Sequence, residues 1–439
     1  MTGTTGCPIR VFSGKEKLEV LVFAIFMLLI FPFLSSLHLF IIALALTLAS
    51  GTIFRDSTGK YYHLFLAATI LLLISIAAGQ SGYFFPEYII IQALEISTIG
   101  LLVATGVKEK GNIPENRKYL PSSICLLLAG GTAAAVAGVW YAYLHIGTDY
   151  EMIFFVSVIG AINAALFESI PSNFNRTLST TLGSAMAMWV LASFGFEVPT
   201  EQLLFAFAFS LILGYLAYRV NIADISAVMS ATLMGVLIIV FSNIFWFVLL
   251  LTFFILGGMF TKYRYQYKLS KGIAQDQGGI RSYENVFSNS TAALVLAMAY
   301  GIYPQHSEVI SYAFLGTVAT AAADTLASEI GTTSNRTPRM ITTLKPVKTG
   351  TDGGITVLGE LAAIGGACVI AVLALAFGMT ENIGYAILIT CAGGFVGTNA
   401  DSLLGATFQK RGFLSNSGVN FIATFIGALF SGLLYLFLG

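Results

Sequence analysis

Apolar stretches of roughly 17 to 25 residues follow one another from Leu18 to the C-terminus, separated by short polar connections. Each is long enough to cross a hydrocarbon core of about 30 Å as a helix, the structure that satisfies every backbone group within its own segment. The pattern predicts an all-α polytopic membrane protein with about 15 transmembrane helices. The first span, from about Leu18 to Ser35, runs directly into further spans and has no small-residue cleavage site, so it reads as a retained helix rather than a signal peptide. No other targeting segment is visible.

Composition agrees with this pattern. Of 439 residues, 56% are hydrophobic and 10% charged, which leaves too little polar surface for a soluble fold of this length. Lysine plus arginine balance aspartate plus glutamate at 22 each, and no nucleic-acid partner is expected. The cations are unevenly placed. The N-terminal group Arg10, Lys15 and Lys17, the pair Arg55 and Lys60, the stretch Lys108 to Lys118, Arg176, Arg219, Lys262 to Arg281, Arg336 to Lys348, and Lys410 with Arg411 hold all of them. The alternate connections, near Glu87, Asp149 with Glu151, Glu197, His306 with Glu308, and Glu381, carry acids and no Lys or Arg. The positive-inside rule then places the N-terminus in the cytoplasm and, after an odd number of spans, the C-terminus outside, as expected of a multi-pass protein of the cell membrane.

Cys7, Cys125, Cys368 and Cys391 form no CxxC, and three of them fall in apolar spans, so neither disulfides nor zinc are expected. The histidines (His38, His63, His145, His306) sit at different helix ends and give no shared metal site.

An internal repeat divides the chain. In the C-terminal half, Ser328-Glu329-Ile-Gly331 is followed by a basic loop, a small-residue helix (Leu358 to Phe377), another helix and Ala400-Asp401-Ser402. In the N-terminal half, Val103-Ala-Thr-Gly106 precedes a basic loop, a small-residue helix (Ile124 to Leu144), another helix and Phe167-Glu168-Ser169. Element order, loop charge and acid position agree, so two parallel pseudo-repeats are expected, over residues 1–200 and 201–439. Opposite Asp324 the first half has an apolar residue, and opposite Asp401 it has only Glu168. The second half is therefore the expected seat of chemistry.

Three elements carry that chemistry. Asp324, near the end of an apolar helix, is costly there unless it meets water, a cation or a partner, and Glu329 follows five residues on. The run Arg336-Thr-Pro-Arg339-Met-Ile-Thr342-Thr343-Leu-Lys345-Pro-Val-Lys348-Thr349-Gly350-Thr351-Asp352-Gly353-Gly354 interleaves cations with hydroxyls and glycines, which suits polyphosphate. It also serves as an ordinary positive-inside loop, and the GxxxxGK[ST] order of a P-loop is absent. Gly397-Thr-Asn399-Ala-Asp401-Ser402 adds an acid from a different helix. With Asp324 it supplies the two carboxylates that a magnesium ion needs if it keeps waters and bridges phosphate oxygens. Asn285 with Asn289, and Asn416 with Asn420, share i, i+4 spacing, and such amides also simply join helices.

Asp324-Thr-Leu-Ala-Ser-Glu-Ile-Gly331, Ile341-Thr-Thr-Leu-Lys345, Gly350-Thr-Asp-Gly-Gly-Ile-Thr356, Asp401-Ser-Leu-Leu-Gly-Ala-Thr407 and Asn416 to Asn420 resemble the domain-of-unknown-function 92 family. That family contains transmembrane protein 19 and the plant phytyl-phosphate kinases. The likeness runs from about Gln202 to the C-terminus. Glu168-Ser-Ile-Pro-Ser-Asn-Phe-Asn175 resembles, over fewer residues, the C-terminal motif of dolichol and phytol kinases, although the first half lacks their Asp-x-x-Ala acid.

The resemblance implies a membrane kinase, a phosphotransferase moving phosphoryl from a nucleoside triphosphate, expected to be CTP, onto a polyprenyl or phytyl monophosphate. On this reading the paired acids Asp324 and Asp401 are expected to hold Mg2+, with Lys345, Lys348, Arg336 and Arg339 on nucleotide phosphates. Thr343, Ser328, Glu329 and the Gly350, Thr351, Asp352, Gly353, Gly354 turn are placed around them. Asn285, Asn289, Asn416 and Asn420 are expected at the isoprenoid acceptor, on the cytoplasmic face. A transporter, a cytidylyltransferase forming a CDP-linked lipid, and a catalytically inactive scaffold remain alternatives.

Overall fold

A computed structural model of the chain describes residues 14–52, 61–109, 119–145, 149–170, 175–275 and 279–438. Cys7, Arg10, the pair Arg55 and Lys60, the basic loop around Arg117 and Lys118, and the middle of the Glu168 to Asn175 motif lie outside the described residues. Helices dominate: α1 (Gly14–Ile30), α2 (Ser36–Thr52), α3 (Tyr62–Gln80), α4 (Glu87–Glu95), α5 (Leu101–Glu109), α6 (Tyr119–Leu144), α7 (Tyr150–Ser169), α8 (Arg176–Ser193) and α9 (Thr200–Arg219). They continue with α10 (Ile225–Phe241), α11 (Ile244–Lys262), α12 (Tyr265–Ser270), α13 (Tyr283–Ile302), α14 (Ser307–Gly331), α15 (Val357–Ala376), α16 (Ile383–Leu404) and α17 (Asn416–Leu438). Among the described residues ten helices are long and apolar enough to cross a membrane, with α4, a wider π turn at Ile96–Gly100 and α5 acting as one rod. The all-helical membrane architecture follows the apolar pattern, because a span with no internal polar face has to satisfy its backbone within itself.

The chain forms two compact units, residues 1–205 and 206–439. In the first, the broken rod packs on α6, α6 on α7, α7 on α8, and α4 closes onto α8. In the second, α14 packs on α15, α16 and α17, α15 on α16, and α16 on α17. Each unit thus places four successive rods with the same neighbours, as the repeat in the sequence predicts.

Glycine sets the spacing in the second unit. A Cβ added to Gly393 would stand 3.2 Å from Gly316 Cα, one on Gly394 3.1 Å from Ala319 Cβ, and one on Gly397 2.8 Å from Thr320 Cβ. In the same construction Gly366 of α15 meets the Ala322 carbonyl at 3.1 Å, and Gly427 of α17 meets the Gly316 carbonyl at 2.9 Å, so α16 and α17 converge on the same small residues of α14. Backbones this close are the usual solution in lipid, where helix association depends on van der Waals fit rather than on expelling water. Hydroxyls add to it: Thr317 Oγ1 donates to the Thr424 carbonyl at 3.2 Å and Thr320 Oγ1 to the Gly393 carbonyl at 3.3 Å.

The two ends of this bundle differ in kind. At one, Tyr435 bonds Glu308, Tyr385 donates to the Leu438 carbonyl at 2.7 Å, and Tyr312 meets Thr380 at 2.5 Å. At the other stand Asp324, Asp401 and a β-hairpin, β1 (Arg339–Met340) antiparallel to β2 (Gly354–Ile355).

A methyl group at Gly397 has nowhere to go. Gly397→Ala is expected to destabilise the second unit by about 1–3 kcal/mol, the usual cost of overpacking. Thermal melting of the detergent-solubilised protein reads this, and Thr320→Ala in the same chain should recover part of the loss. An unchanged melting temperature in Gly397→Ala would show that the spacing is not set here.

Candidate active site

The contacts of α14 with α16 advance by equal steps: Gly316 lies against Gly393, and Thr320 against Gly397. Both helices gain about one turn in four residues, so the next pair in the series is Asp324 and Asp401. The two carboxylates therefore face one another from neighbouring helices, and Asp401 lies within electrostatic reach of Asp324 and of Asp352. Asp401 Oδ2 is buried with no hydrogen-bond partner, and no described lysine or arginine forms an ion pair with either acid. Two facing carboxyls in a poorly solvated place, one with an unmet acceptor, are costly as a pair of charges unless a proton or a cation from outside the protein offsets them.

The loop between α14 and α15 is a folded hairpin rather than an open basic tail. Met340 N donates to the Lys345 carbonyl at 2.9 Å, Val347 N to Pro338 at 2.9 Å and Ile341 N to Gly353 at 2.9 Å. Two glycines allow its sharpest bend, since Gly350 (φ 85°) and Gly353 (φ 76°) lie in the left-handed region. Gly353 rests directly on α16: a Cβ there would stand 2.7 Å from the Ser402 carbonyl and 2.9 Å from Ala406 Cα. That contact brings the exposed Asp352 beside Gly405, one turn beyond Asp401.

Beside the hairpin runs an open groove of about 610 Å³, walled by Tyr267, Lys271, Arg336, Lys348 and Thr349 among others, with no carboxylate in its lining. Its three cations come from two stretches of the chain. Arg336 and Lys348 were expected at phosphate, whereas Lys271 was visible only as part of a basic stretch. Lys345, Arg339 and Thr343 do not line the groove. They sit exposed on the hairpin, where Arg339 Nη1 donates to the Leu344 carbonyl at 2.9 Å and Thr343 Oγ1 accepts from Lys345 N at 3.4 Å.

Several other expected site residues have local work. Glu329 is 4% exposed, paired with buried Lys268, and accepts from Thr261 Oγ1 at 3.0 Å. That pairing keeps it from a nucleotide and corrects its place among the phosphate-binding residues. Ser328 Oγ donates to the Thr325 carbonyl at 3.0 Å. Asn285 forms the reciprocal cap of α13 with Ser282, and buried Asn289 donates to the Asn285 carbonyl at 3.0 Å and to Ser288 Oγ at 3.2 Å. Asn420 and Asn416 begin α17, and the antiparallel series Ser431 to Gly316 and Gly427 to Thr320 carries Asn420 close to the level of Asp324.

The counterpart acid of the first unit has a different environment. Glu168 is buried with Lys108 and also accepts from Arg176 Nη1 at 3.1 Å, so two cations of its own chain satisfy it. Where the second unit has Asp324 the first has Ile99, within the π turn.

Magnesium, expected from the paired acids, suits the second unit. Two carboxylates on different helices, one with a buried unmet oxygen, fit an ion that also takes waters and phosphate oxygens. Among the described residues no group of three acids, histidines or cysteines gathers to enclose a metal without such help.

Comparison with known proteins places this unit. Residues 208–428 match the family described as integral membrane protein DUF92. An uncharacterized membrane protein of Methanocaldococcus jannaschii is 36% identical over 244 residues, covering 54% of this chain and 98% of the relative. Protein PGR of Arabidopsis thaliana is 31% identical over 239 residues, 49% of this chain and 82% of its own length. Protein VTE6, chloroplastic, of the same plant is 29% identical over 199 residues, 44% of this chain and 59% of its own length. No solved structure matches the chain. The acids, the hairpin and the groove all fall within the matched segment, and the chain belongs to the DUF92 family of integral membrane proteins.

Proposed function

We propose that the second unit is a membrane kinase that transfers the terminal phosphoryl group of a nucleoside triphosphate, with CTP the expected donor, to a polyprenyl or phytyl monophosphate. One observation carries the reading: Asp324 and Asp401 face each other beside Asp352, at the same end of the bundle as a cation-walled groove. The resemblance of these motifs to a family that contains phytyl-phosphate kinases supports it. The basic end is taken to be cytoplasmic, where nucleotides are found.

The chemistry asks little of the side chains beyond placement. Lys271, Arg336 and Lys348 take the donor phosphates, and the Gly350 to Gly354 turn closes over them next to α16. Asp324 and Asp401 would hold Mg2+, which would supply positive charge against the negative charge that spreads over the transferring group. The acceptor is a phosphomonoester whose second pKa is about 6, so it is already an oxyanion at neutral pH and needs no general base. Its oxygen bonds the γ phosphorus while the bond from that phosphorus to the β-bridging oxygen breaks. The nucleoside diphosphate leaves, and no proton has to move. Acids and cations lie together at one end of the helices, which favours a reaction at the membrane face over passage through its midplane, where transporter sites lie.

Purified full-length protein given magnesium, γ-labelled CTP and geranylgeranyl or phytyl monophosphate is expected to place label in the prenyl diphosphate. Label confined to the nucleotide pool, with a known prenyl-phosphate kinase active alongside, would sink the proposal. Asp324→Asn and Asp401→Asn should each lower turnover by about 10²-fold or more while the protein stays inserted. Full activity in either would remove the carboxylates from the mechanism.

Arg336→Ala and Lys348→Ala should raise the nucleotide KM by about tenfold, the loss of one charge-assisted contact. Lys345→Ala, outside the groove, should change it less, and the reverse ranking would move the donor site to the hairpin tip. Glu168→Gln is expected to lower the melting temperature, because Lys108 loses its buried counter-charge, while turnover stays within about twofold. A collapse of turnover with an unchanged melting temperature would place the first unit in the reaction.

A further inference from the structure

Arg281 belongs neither to the groove nor to the Lys268–Glu329 ion pair of the second unit. It stands just before Ser282, the N-cap of α13, and its main chain is fixed on both sides. Arg281 N donates to the Ile222 carbonyl at 2.8 Å and Asp224 N to the Arg281 carbonyl at 2.9 Å. With the backbone held in this way, the side chain runs inward along α11. A Cβ on Gly257 would meet its Nη2 at 2.9 Å and Thr325 Cγ2 at 3.3 Å, so the guanidinium lies across Gly257 from the residue that follows Asp324.

Its Nε and Nη2 are buried and have no hydrogen-bond partner. Burial pulls its pKa below the usual guanidinium value, opposed by the charge of Glu329, and an arginine remains protonated regardless. Glu329 lies near enough to act on Arg281 through its charge, yet its oxygens bond Lys268 and Thr261 and make no hydrogen bond to Nε or Nη2. Nε–H and Nη2–H point in parallel from one edge of the guanidinium, the edge that grips two oxygens of one phosphate. A buried charge with that edge unmet is costly unless an anion completes it.

The surroundings say what kind of anion. Arg281 is the charged wall of a narrow slot among α9, α10, α11 and α13, lined otherwise by apolar side chains such as Leu213, Val228, Phe247, Phe254 and Val286. Two further groups in the slot, the hydroxyls of Ser210 and Ser290, are also buried without a partner. A free nucleotide offers nothing to such walls, and its phosphates have the exposed cations of the groove instead. A phosphate carried on a hydrocarbon chain matches the fork in charge and the slot in the apolar character of its lining.

We propose that Arg281 binds the phosphate of the lipid acceptor side-on through Nε and Nη2, with the start of the lipid chain parting the apolar side chains of the slot, about 60 Å³ before the lipid enters. The identity of the lipid as acceptor rests on the kinase reading; its capture by Arg281 does not. The phosphate then lies next to the turn of α14 that carries Asp324, within the same unit as the donor groove.

Equilibrium binding tests this without turnover. Full-length protein in lipid nanodiscs, with no nucleotide present, is given labelled geranylgeranyl monophosphate and challenged with geranylgeraniol or with inorganic phosphate. The wild-type chain is expected to prefer the monophosphate to the alcohol by about tenfold or more. Arg281→Lys, which keeps the charge and loses the fork, should weaken monophosphate binding by about tenfold and leave both alcohol and nucleotide binding within about twofold. Leu213→Trp, which fills the slot, should weaken monophosphate and alcohol together.

Equal affinity for alcohol and monophosphate, or unchanged monophosphate binding in Arg281→Lys, overturns the assignment. Displacement by inorganic phosphate at concentrations equal to the lipid phosphate also overturns it, by making the ligand free phosphate. Arg281-dependent lipid binding without any phosphoryl transfer would leave this inference standing and remove the kinase. Transfer with an unchanged lipid KM in Arg281→Lys would do the opposite.

Discussion

Everything at the charged end of the second unit depends on how closely α14 approaches α16 and α17. Gly316, Gly393, Gly397 and Gly427 remove the side chains that would keep those backbones apart, and α14 is held between two partners by contacts no larger than a hydrogen or a hydroxyl. In a lipid solvent this fit is the attraction itself, since hydrocarbon offers no competing hydrophobic gain. The same spacing brings two aspartates face to face one turn further on. Small residues and acids that look like separate features of the sequence are thus one device: the glycines set the distance at which the two carboxylates stand from one another.

Much of this was legible from residue types. Continuous apolar runs announce helices in lipid, and Asp324 and Asp401 stand out because an acid in such a run needs a reason. The matching order of elements in the two halves was readable too, and each unit has the same succession of neighbours. What could not be read was which polar groups the fold would use up. Glu329 looks as available as Asp324 until Lys268, 61 residues earlier, is found beside it. Asn285 and Asn289 share a helical spacing that suggests a binding face, yet they close the cap and first turn of α13. The basic stretch from Lys262 to Arg281 reads as a single block of topogenic charge. In three dimensions Lys268 turns in to an acid, Lys271 walls the groove and Arg281 reaches between helices. Spacing along a helix reports only near neighbours, and these roles come from partners far away in sequence.

The two units show opposite treatments of an acid at equivalent positions. Glu168 is neutralised by Lys108 and Arg176 and is complete within its own chain. A buried pair of that kind adds little net stability against an apolar alternative, but it strongly penalises the loss of either member. Asp401 has no such internal answer. One unit answers its acid from within the chain, and the other leaves a carboxyl oxygen of Asp401 buried and without a partner among the described residues.

The hairpin between α14 and α15 holds its shape through main-chain bonds and two left-handed glycines, with Gly353 seated on the end of α16. Few of its exposed side chains take part in that scaffold. Replacing the exposed side chains of Thr342 or Lys345 therefore leaves Asp352 and the adjoining groove in place, so what this surface recognises is uncoupled from the geometry beneath it. Evolution could retune the outer face of the loop while the acids under it stay where the helices put them.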